Sequence, residues 1–208
     1  MAPVKPRFRG VLHEIAFFVS LVTGPILILI SRAGSHLGTA VYSLAMSGLF
    51  GFSALYHRPN WPPKVRRWLA RVDHTMITVF TAATFTPIVI AIDTPWSRTV
   101  LLISWGGALL AMCIQFLPVK VPKPVAVIPY LALGWLGITL FPESWSHLGA
   151  APPVLLFVGG ALYTIGALVY ARRKPDPKPA VFGYHEIFHA LVVAAAYFHY
   201  GAVASAVA

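Results

Sequence analysis

Residues 183–203 read GYHEIFHALVVAAAYFHYGAV, a mostly apolar run whose first turns hold two histidines, His185 and His189. A bilayer core about 30 Å thick requires roughly 20 such residues for one helical crossing. We therefore predict a transmembrane helix over this stretch. On that helix the two imidazoles lie one turn apart on the same face, an arrangement that can bind a divalent metal ion.

The rest of the composition agrees with a membrane location. Hydrophobic residues make up 58% of the 208 residues and charged residues only 11%, and the mean hydropathy is +0.74. A soluble domain of this length needs more polar surface, so the chain is predicted to be an integral membrane protein. The single cysteine, Cys113, cannot form an intrachain disulfide.

The apolar runs predict an all-α, seven-transmembrane helical bundle that forms a single domain over residues 1–208. The fifth run is interrupted by Pro124 and Pro129, which a membrane helix tolerates where its neighbours satisfy the freed carbonyl groups. The predicted spans are 12–31, 38–57, 72–92, 98–117, 124–141, 151–171 and 183–203.

The net charge of +10 is distributed unevenly along this topology. If seven crossings alternate, fourteen of the 16 Lys and Arg residues lie on one side, and only Arg32 and Arg98 lie on the other. This bias predicts a multi-pass protein of the plasma (inner) membrane with a cytoplasmic amino terminus and an external carboxyl terminus. The cations are expected to contact anionic lipid headgroups, and no nucleic-acid partner is predicted. Membrane lipids are the predicted partners.

The topology also brings chemically active side chains to one depth. The second helix ends at His57 on the basic side, the third begins there with Asp73, and the seventh begins there with His185 and His189. An ionisable group within the hydrocarbon costs roughly 2.5–3.5 kcal/mol on insertion scales, so Asp73 requires a buried partner or a functional role. This layer is the predicted functional site.

The other histidines are interpreted differently. His199 lies about 15 Å along the helix axis from His189, so we interpret it as structural, together with His36 and His147 in outer loops. His13 at the start of the first helix is either an interfacial residue or a residue that supports the site, and so is its neighbour Glu14.

The string His185-Glu186-Ile187-Phe188-His189 also matches the zinc-protease signature HExxH, in which the glutamate is the general base. No acidic residue follows Glu186, and Ala195 occupies the position of the third histidine of the metzincins. The metal must therefore take another ligand from a different helix, and His57 lies at the correct depth. Three imidazoles and a water molecule favour zinc and form a catalytic type of site.

The combined pattern resembles a known family. Ser53-x-x-x-His57, Asp73 at the start of the third helix, and His185-x-x-x-His189 in the last helix resemble hemolysin III and the adiponectin and progestin receptors. The short chain resembles the bacterial hemolysin III branch. The resemblance extends from the second helix to the seventh and so covers nearly the whole chain.

The resemblance implies a function and the roles of particular residues. His57, His185 and His189 would be the zinc ligands, Asp73 would hold the metal-bound water, and Ser53 would be a supporting donor or a contact to the reacting oxygen. Related receptors and alkaline ceramidases imply hydrolysis of a lipid amide such as ceramide. A zinc-activated water would attack the amide carbonyl, with Asp73 as the base, in a cavity reached from the inner leaflet.

The chain departs from the family pattern at the first helix. Many family members carry a glutamate, an asparagine and a histidine there, with the asparagine four residues before the histidine. If that histidine is His13, the asparagine position holds Arg9 and the acidic position falls on Pro6. Glu186 stands where the receptors commonly have glutamine, and it is a weaker candidate for the base than Asp73.

Two other functional classes remain open at this point. The chain could be a cytolytic or pore-forming membrane protein, although no helix carries charges at helical spacing through its middle. It could also be a membrane-stress receptor in which zinc is structural. The sequence leaves open the substrate, turnover and the oligomeric state.

Overall fold

The computed structural model describes residues 5–117 and 123–208, and within the second range it omits the side chains of 123–127. The described residues form helices and loops without a strand. Two short 3₁₀ segments, Ala33–Ser35 and Leu136–Leu140, precede α2 and α6 respectively. The helices in chain order are α1 (Val11–Ile30), α2 (His36–His57), α3 (Pro63–Ile92), α4 (Pro95–Phe116), α5 (Lys123–Trp135), α6 (Phe141–Leu148), α7 (Ala151–Arg172) and α8 (Tyr184–Val207).

Six helical segments in the described part of the chain are long and apolar enough to cross a membrane. They are α1, the 3₁₀ turn continued into α2, α3, α4, α7 and α8. They confirm six of the predicted spans and show that the chain is a multi-pass membrane protein with an all-α fold. The direction in which the bundle crosses the membrane stays a prediction.

The predicted fifth span, 124–141, is not one continuous helix. The structure divides this region into α5, the 3₁₀ segment Leu136–Leu140 and α6, so the prediction of seven uninterrupted crossings is wrong at this point. Pro129 lies inside α5 and Pro142 in the first turn of α6, and each lacks the backbone N–H group that a continuous helix needs. Residues 118–122, including Lys120 of the predicted basic loop, lie outside the described residues.

Helix α3 begins at Pro63, ahead of residue 72, where the predicted apolar span begins. Pro63 occupies the first turn, where a missing N–H group costs nothing. The helix then continues through charged residues before it becomes apolar. Hydropathy therefore located the apolar boundary, but that boundary is not the end of the helix.

The centre of the bundle is formed mainly by α2, α3 and α8. In the most apolar part of α3, 61% of the residues are buried, compared with 17% in α4 and in α7. A Cβ atom at Gly38 of α2 would lie 3.0 Å from the Cα atom of Pro87 in α3, so glycine permits close contact between these helices. The largest buried side chains of the core include Tyr42, Phe50, Phe80 and Ile88.

The three central helices share one end of the bundle. Helix α2 ends there at His57, whose side chain contacts His185 in the first turn of α8 and lies near Asp73 of α3. Backbone hydrogen bonds from Arg7 N to Ala180 O (3.0 Å) and from Phe8 N to Val181 O (3.2 Å) also bind the segment before α1 to the segment before α8. Because Lys5, Arg9 and Arg66 also lie here, we call this the basic end of the bundle.

Candidate metal centre

Three histidines from two helices converge at the basic end. His57 is the last residue of α2, and His185 and His189 lie in the first two turns of α8. One nitrogen from each ring lies within 4.8 Å of the others, and among the described residues these side chains form the group suited to a metal ion. His57 is 7% exposed and His189 is 3% exposed, so these two imidazoles are largely withdrawn from solvent, whereas His185 is half-buried.

The spacing of these nitrogens fits a zinc ion. The Nε2 atoms of His57 and His185 are 3.3 Å apart. Two nitrogens that bind one tetrahedral zinc ion at about 2.0–2.1 Å are separated by roughly 3.4 Å. The same distance allows one neutral ring to donate an N–H hydrogen bond to the other. The three histidines could therefore form a metal site without a large rearrangement.

Asp73 of α3 lies beside this cluster. Its Oδ2 atom is 3.9 Å from the Nε2 atom of His57, too far for a direct hydrogen bond. The hydroxyl of Ser53, one turn before His57 on α2, lies beside the Asp73 carboxylate. The side chain of Asp73 is 13% exposed and Ser53 is 2% exposed. The structure thus brings all five predicted site residues together, and their chemical roles stay predictions.

Glu186 is already engaged by two donors. Its Oε1 atom lies 2.6 Å from Nε of Arg9, and its Oε2 atom accepts a hydrogen bond of 2.8 Å from Gly183 N. The glutamate side chain is 1% exposed. A carboxylate with both oxygens occupied is poorly suited to serve as a general base. Glu186 instead caps the first turn of α8 and fixes it to the segment before α1.

His13 contacts the cluster from α1. Its ring stacks on His189 with centroids 3.9 Å apart and an interplanar angle of 23°. The side chain is 3% exposed, and neither of its nitrogens has a hydrogen-bond partner among the described residues. Its neighbour Glu14 points elsewhere and pairs with Arg58 at 2.7 Å. Of the two alternatives left open for His13, the structure favours contact with the site.

The remaining histidines predicted to be structural make local contacts. The Nε2 atom of His199 lies 3.2 Å from the carbonyl oxygen of Leu156 in α7, and its ring packs against Gly159. His36 contacts the carbonyl oxygen of Ser31 and His147 that of Glu143, at 3.0 and 2.9 Å respectively. These contacts lie outside the three-histidine cluster.

Arg9 is the residue whose contact with the site the sequence did not predict, whereas contact of His13 with the site was one of two alternatives. The one available signal was the acidic residue Glu186 inside an apolar run, because a buried carboxylate requires a cationic partner. The sequence did not identify that partner, because Arg9 precedes the first helix and was counted among the interfacial cations.

A cavity of about 700 Å³ leads from the basic end of the bundle to the site. The segment before α1, the start of α3 and the segment before α8 form its walls, and His57 and Glu186 contribute to the lining. The cluster is therefore connected to the surface at the end where the cations of the chain are concentrated.

Comparison with known proteins gives consistent matches. The model of the Haemolysin-III related family matches residues 1–200. Hemolysin-3 of Bacillus cereus is 30% identical over 174 residues, which cover 80% of this chain and 78% of that protein. The Hemolysin-3 homolog of Bacillus subtilis (strain 168) is 28% identical over 193 residues, or 89% of this chain and 86% of the homolog. An adiponectin receptor protein of Drosophila melanogaster is 44% identical over 64 residues, which cover 28% of this chain and 14% of the receptor.

Proposed function

This chain belongs to the Haemolysin-III related family, and from that premise we propose that it is a zinc-dependent membrane hydrolase of a lipid amide such as ceramide. One observation carries the proposal: Nε2 of His57 lies 3.3 Å from Nε2 of His185, the spacing of neighbouring ligands on a tetrahedral zinc ion. His189 supplies the third nitrogen. The family resemblance supplies the substrate class.

A bound zinc ion supplies Lewis acidity, which polarises a carbonyl group and makes a nearby water molecule more acidic. Its ligands would be His57, His185 and His189. All three can remain neutral, as zinc ligation requires. A set of three protein ligands is typical of catalytic zinc sites.

Asp73 is proposed as the general base. Its carboxylate lies within 3.9 Å of His57 without bonding to it directly, and Ser53 beside it is the proposed hydrogen-bond donor that orients it. The carboxylate would accept a proton from the attacking water as the water oxygen bonds to the amide carbon. It would then return that proton to the amide nitrogen as the carbon–nitrogen bond breaks. The products are a fatty acid and a free amine.

The substrate is expected to come from the leaflet at the basic end. The side chains at the surface of α1, α4 and α7 are largely apolar, so the bundle is surrounded by lipid. We propose that this end faces the cytoplasm in the plasma (inner) membrane, because the cations concentrate there. The cavity that reaches His57 gives polar groups and water a route to the reaction centre.

The name of the Bacillus cereus relative, Hemolysin-3, favours a second candidate function. In that case the chain would be a cytolytic membrane protein, and the three histidines would hold a structural metal that joins α2 to α8. A receptor with a structural metal has the same geometry. Metal content alone does not distinguish these functions from the hydrolase, whereas turnover does.

The decisive experiment combines metal analysis with an activity assay. Full-length protein purified in a non-ionic detergent is analysed for zinc by mass spectrometry and then incubated with ceramide, and the released fatty acid is measured. We expect one zinc ion per chain and a turnover that is lost on chelation and restored by zinc. His57→Ala should remove both zinc and turnover. His147→Ala removes an exposed histidine of α6 and should change neither.

Each result has a definite meaning. Zinc-free wild-type protein from a zinc-replete preparation would contradict the metal site and with it the hydrolase. Stoichiometric zinc without release of fatty acid would contradict the hydrolase and favour a structural metal. Turnover that persists in the metal-free protein would remove zinc from the reaction.

A further inference from the structure

The cavity that reaches His57 has an unusual distribution of charge. Its lining contains three cations, Lys5, Arg9 and Arg66, and two carboxylates, Glu186 and Asp176. Lys5 and Arg9 come from the segment before α1, whereas Arg66 comes from the first turns of α3. Separate parts of the chain thus bring positive charges to one opening beside the candidate metal centre.

Both carboxylates already have donors. Glu186 pairs with Arg9 at 2.6 Å. The Oδ1 atom of Asp176 accepts a hydrogen bond of 3.0 Å from Tyr184 N, at the start of α8. These contacts bind the walls of the cavity to each other. They leave the other two cations, Lys5 and Arg66, to determine which ligand the opening attracts.

Lys5 and Arg66 have no carboxylate within 4.0 Å among the residues that the structure describes. The ammonium group of Lys5 donates to the carbonyl oxygens of Arg58 (2.6 Å) and Pro59 (3.3 Å). The guanidinium of Arg66 lies 5.4 Å from the ring centroid of Tyr56. These partners are neutral, so the positive charge at the opening is not cancelled.

The cations are close enough to affect one another. Partial burial lowers the pKa of Lys5, and the charges of Arg58, Arg66 and Arg9 lower it further. A site in which like charges repel each other gains free energy when an anion enters. The open cavity leaves space for such an anion beside Lys5 and Arg66.

We infer that this cavity binds a phosphate-bearing anion, held by Lys5 and Arg66 beside the three histidines. Arginine presents planar donors that match phosphate oxygens, and lysine supplies a compact charge with rotatable donors. A carboxylate ligand would satisfy fewer of these donors because it has only two oxygens. The inference goes beyond the proposed function, since it requires neither zinc nor hydrolysis.

The phosphate can come from two sources, which share the same chemistry. The cavity opens at the basic end, which we have proposed to lie at the cytoplasmic headgroups. A phospholipid headgroup can therefore reach it from the membrane, and a free phosphate can reach it from the aqueous phase. The test must distinguish these sources.

The test measures binding to full-length protein in a neutral detergent. The probes are dioctanoylphosphatidylglycerol, inorganic phosphate, and dioctanoylglycerol, which has the same chains without phosphate. Wild-type protein should bind at least one phosphate-bearing probe at least ten times more tightly than dioctanoylglycerol. The double variant Lys5→Gln/Arg66→Gln should weaken that binding at least tenfold.

A matched control removes the same charge nearby. Lys64 and Arg67 lie on the exposed surface of α3 next to Arg66, but they do not line the cavity. The variant Lys64→Gln/Arg67→Gln should bind within twofold of wild type. An equal loss in both double variants would mean that the anion is attracted by the general charge of the surface, and this would overturn the inference.

A second variant tests the cavity without changing its charge. Ala180 lines the opening, so Ala180→Trp should fill it and weaken binding at least tenfold. This variant decides the matter if Lys5→Gln/Arg66→Gln does not fold. Wild-type affinity in Ala180→Trp would overturn the inference, as would equal affinity of wild-type protein for all three probes.

The probes identify the source once the variants support the site. Competition by inorganic phosphate at an affinity equal to that of the lipid would assign the site to a free phosphate. Binding of phosphatidylglycerol without such competition would assign it to a lipid headgroup.

Discussion

The guanidinium of Arg9 and the carboxylate of Glu186 form an ion pair of 2.6 Å that joins the segment before α1 to the first turn of α8. Glu186 lies between His185 and His189 in the sequence, so the pair restrains the turn that carries two of the three site histidines. Its two charges are unequally buried, since the glutamate side chain is 1% exposed and that of the arginine is 22% exposed. The contact therefore has consequences for both stability and the site.

Removal of the arginine should destabilise the protein. We expect Arg9→Met to lower the free energy of unfolding by about 3 kcal/mol, because it leaves a buried carboxylate without a countercharge. The double variant Arg9→Met/Glu186→Gln should lose less than Arg9→Met alone. Unfolding by sodium dodecyl sulfate in mixed micelles measures both values.

The matched control for this prediction is Arg98→Met. Arg98 pairs with Asp93 at 2.6 Å, but these side chains are 63% and 65% exposed. Surface pairs of this kind contribute less than about 1 kcal/mol. The proposed restraint would be contradicted if the loss of stability in Arg9→Met/Glu186→Gln equalled the sum of the losses in the two single variants, because the two charges would then act independently.

Two histidines of α8 should differ in their effect on metal binding. His185→Ala should abolish stoichiometric zinc, because His185 belongs to the three-histidine cluster. His199→Ala should retain zinc although it lowers stability, because His199 contacts α7 through Leu156 and Gly159. Zinc analysis of the purified variants tests this difference. Loss of zinc from the His199 variant, with its fold intact, would oppose the assignment.

The variant Asp73→Asn separates metal binding from chemistry. The imidazoles remain, so we expect stoichiometric zinc. Turnover should fall by at least a hundredfold, because general base catalysis typically contributes about 10²–10⁴. Fatty-acid release and zinc content are measured on the same preparation. Wild-type turnover in the asparagine variant would eliminate Asp73 as the base.

His13 should contribute to the site through the packing of its ring on His189, and not through hydrogen bonds of its nitrogens. Neither nitrogen has a hydrogen-bond partner among the described residues, so His13→Phe keeps a ring against His189 and should retain zinc. His13→Ala leaves a cavity and should cost about 2 kcal/mol of stability. Zinc affinity and unfolding are measured for both variants. Equal zinc affinities for the alanine and phenylalanine variants would show that the stack does not position His189.

The close contact between α2 and α3 predicts a strong effect of one methyl group. Gly38→Ala would bring a Cβ atom within 2.8 Å of Ile90 Cδ1 and 3.0 Å of Pro87 Cα, so we expect a loss of about 1–3 kcal/mol. Gly106→Ala in α4 meets no atom within 4 Å and should be neutral or stabilising by up to about 1 kcal/mol. The same unfolding assay compares the two. A similar result for both glycines would contradict the tight packing.

The convergence of the site residues at one end of the bundle could be predicted from the sequence. His57 and His185 lie at helix ends and Asp73 near the start of the apolar part of α3, all of which alternating crossings bring to one side, and the structure places them together. The family resemblance, which rests on the same residues, is confirmed by the match over residues 1–200. The fifth span was the error, because apolarity does not reveal where prolines and a 3₁₀ segment interrupt a helix.

The role of Glu186 could be assigned only from the tertiary structure. In the sequence it occupies the base position of a zinc-protease motif, and only its contacts with Arg9 and Gly183 show that both oxygens are engaged. The ring of His13 is a similar case, since its stacking on His189 depends on how α1 is rotated against α8.

Hydropathy and helical periodicity are properties of neighbouring residues, so the sequence by itself determined the multi-pass membrane class, six of the helices and the end of the bundle at which the site histidines lie. Only the tertiary structure decided which side chains meet at that end. Rotation about each helix axis and the paths of the segments before α1 and α8 depend on packing between residues far apart in the chain. Arg9 and Glu186, 177 positions apart, meet for that reason.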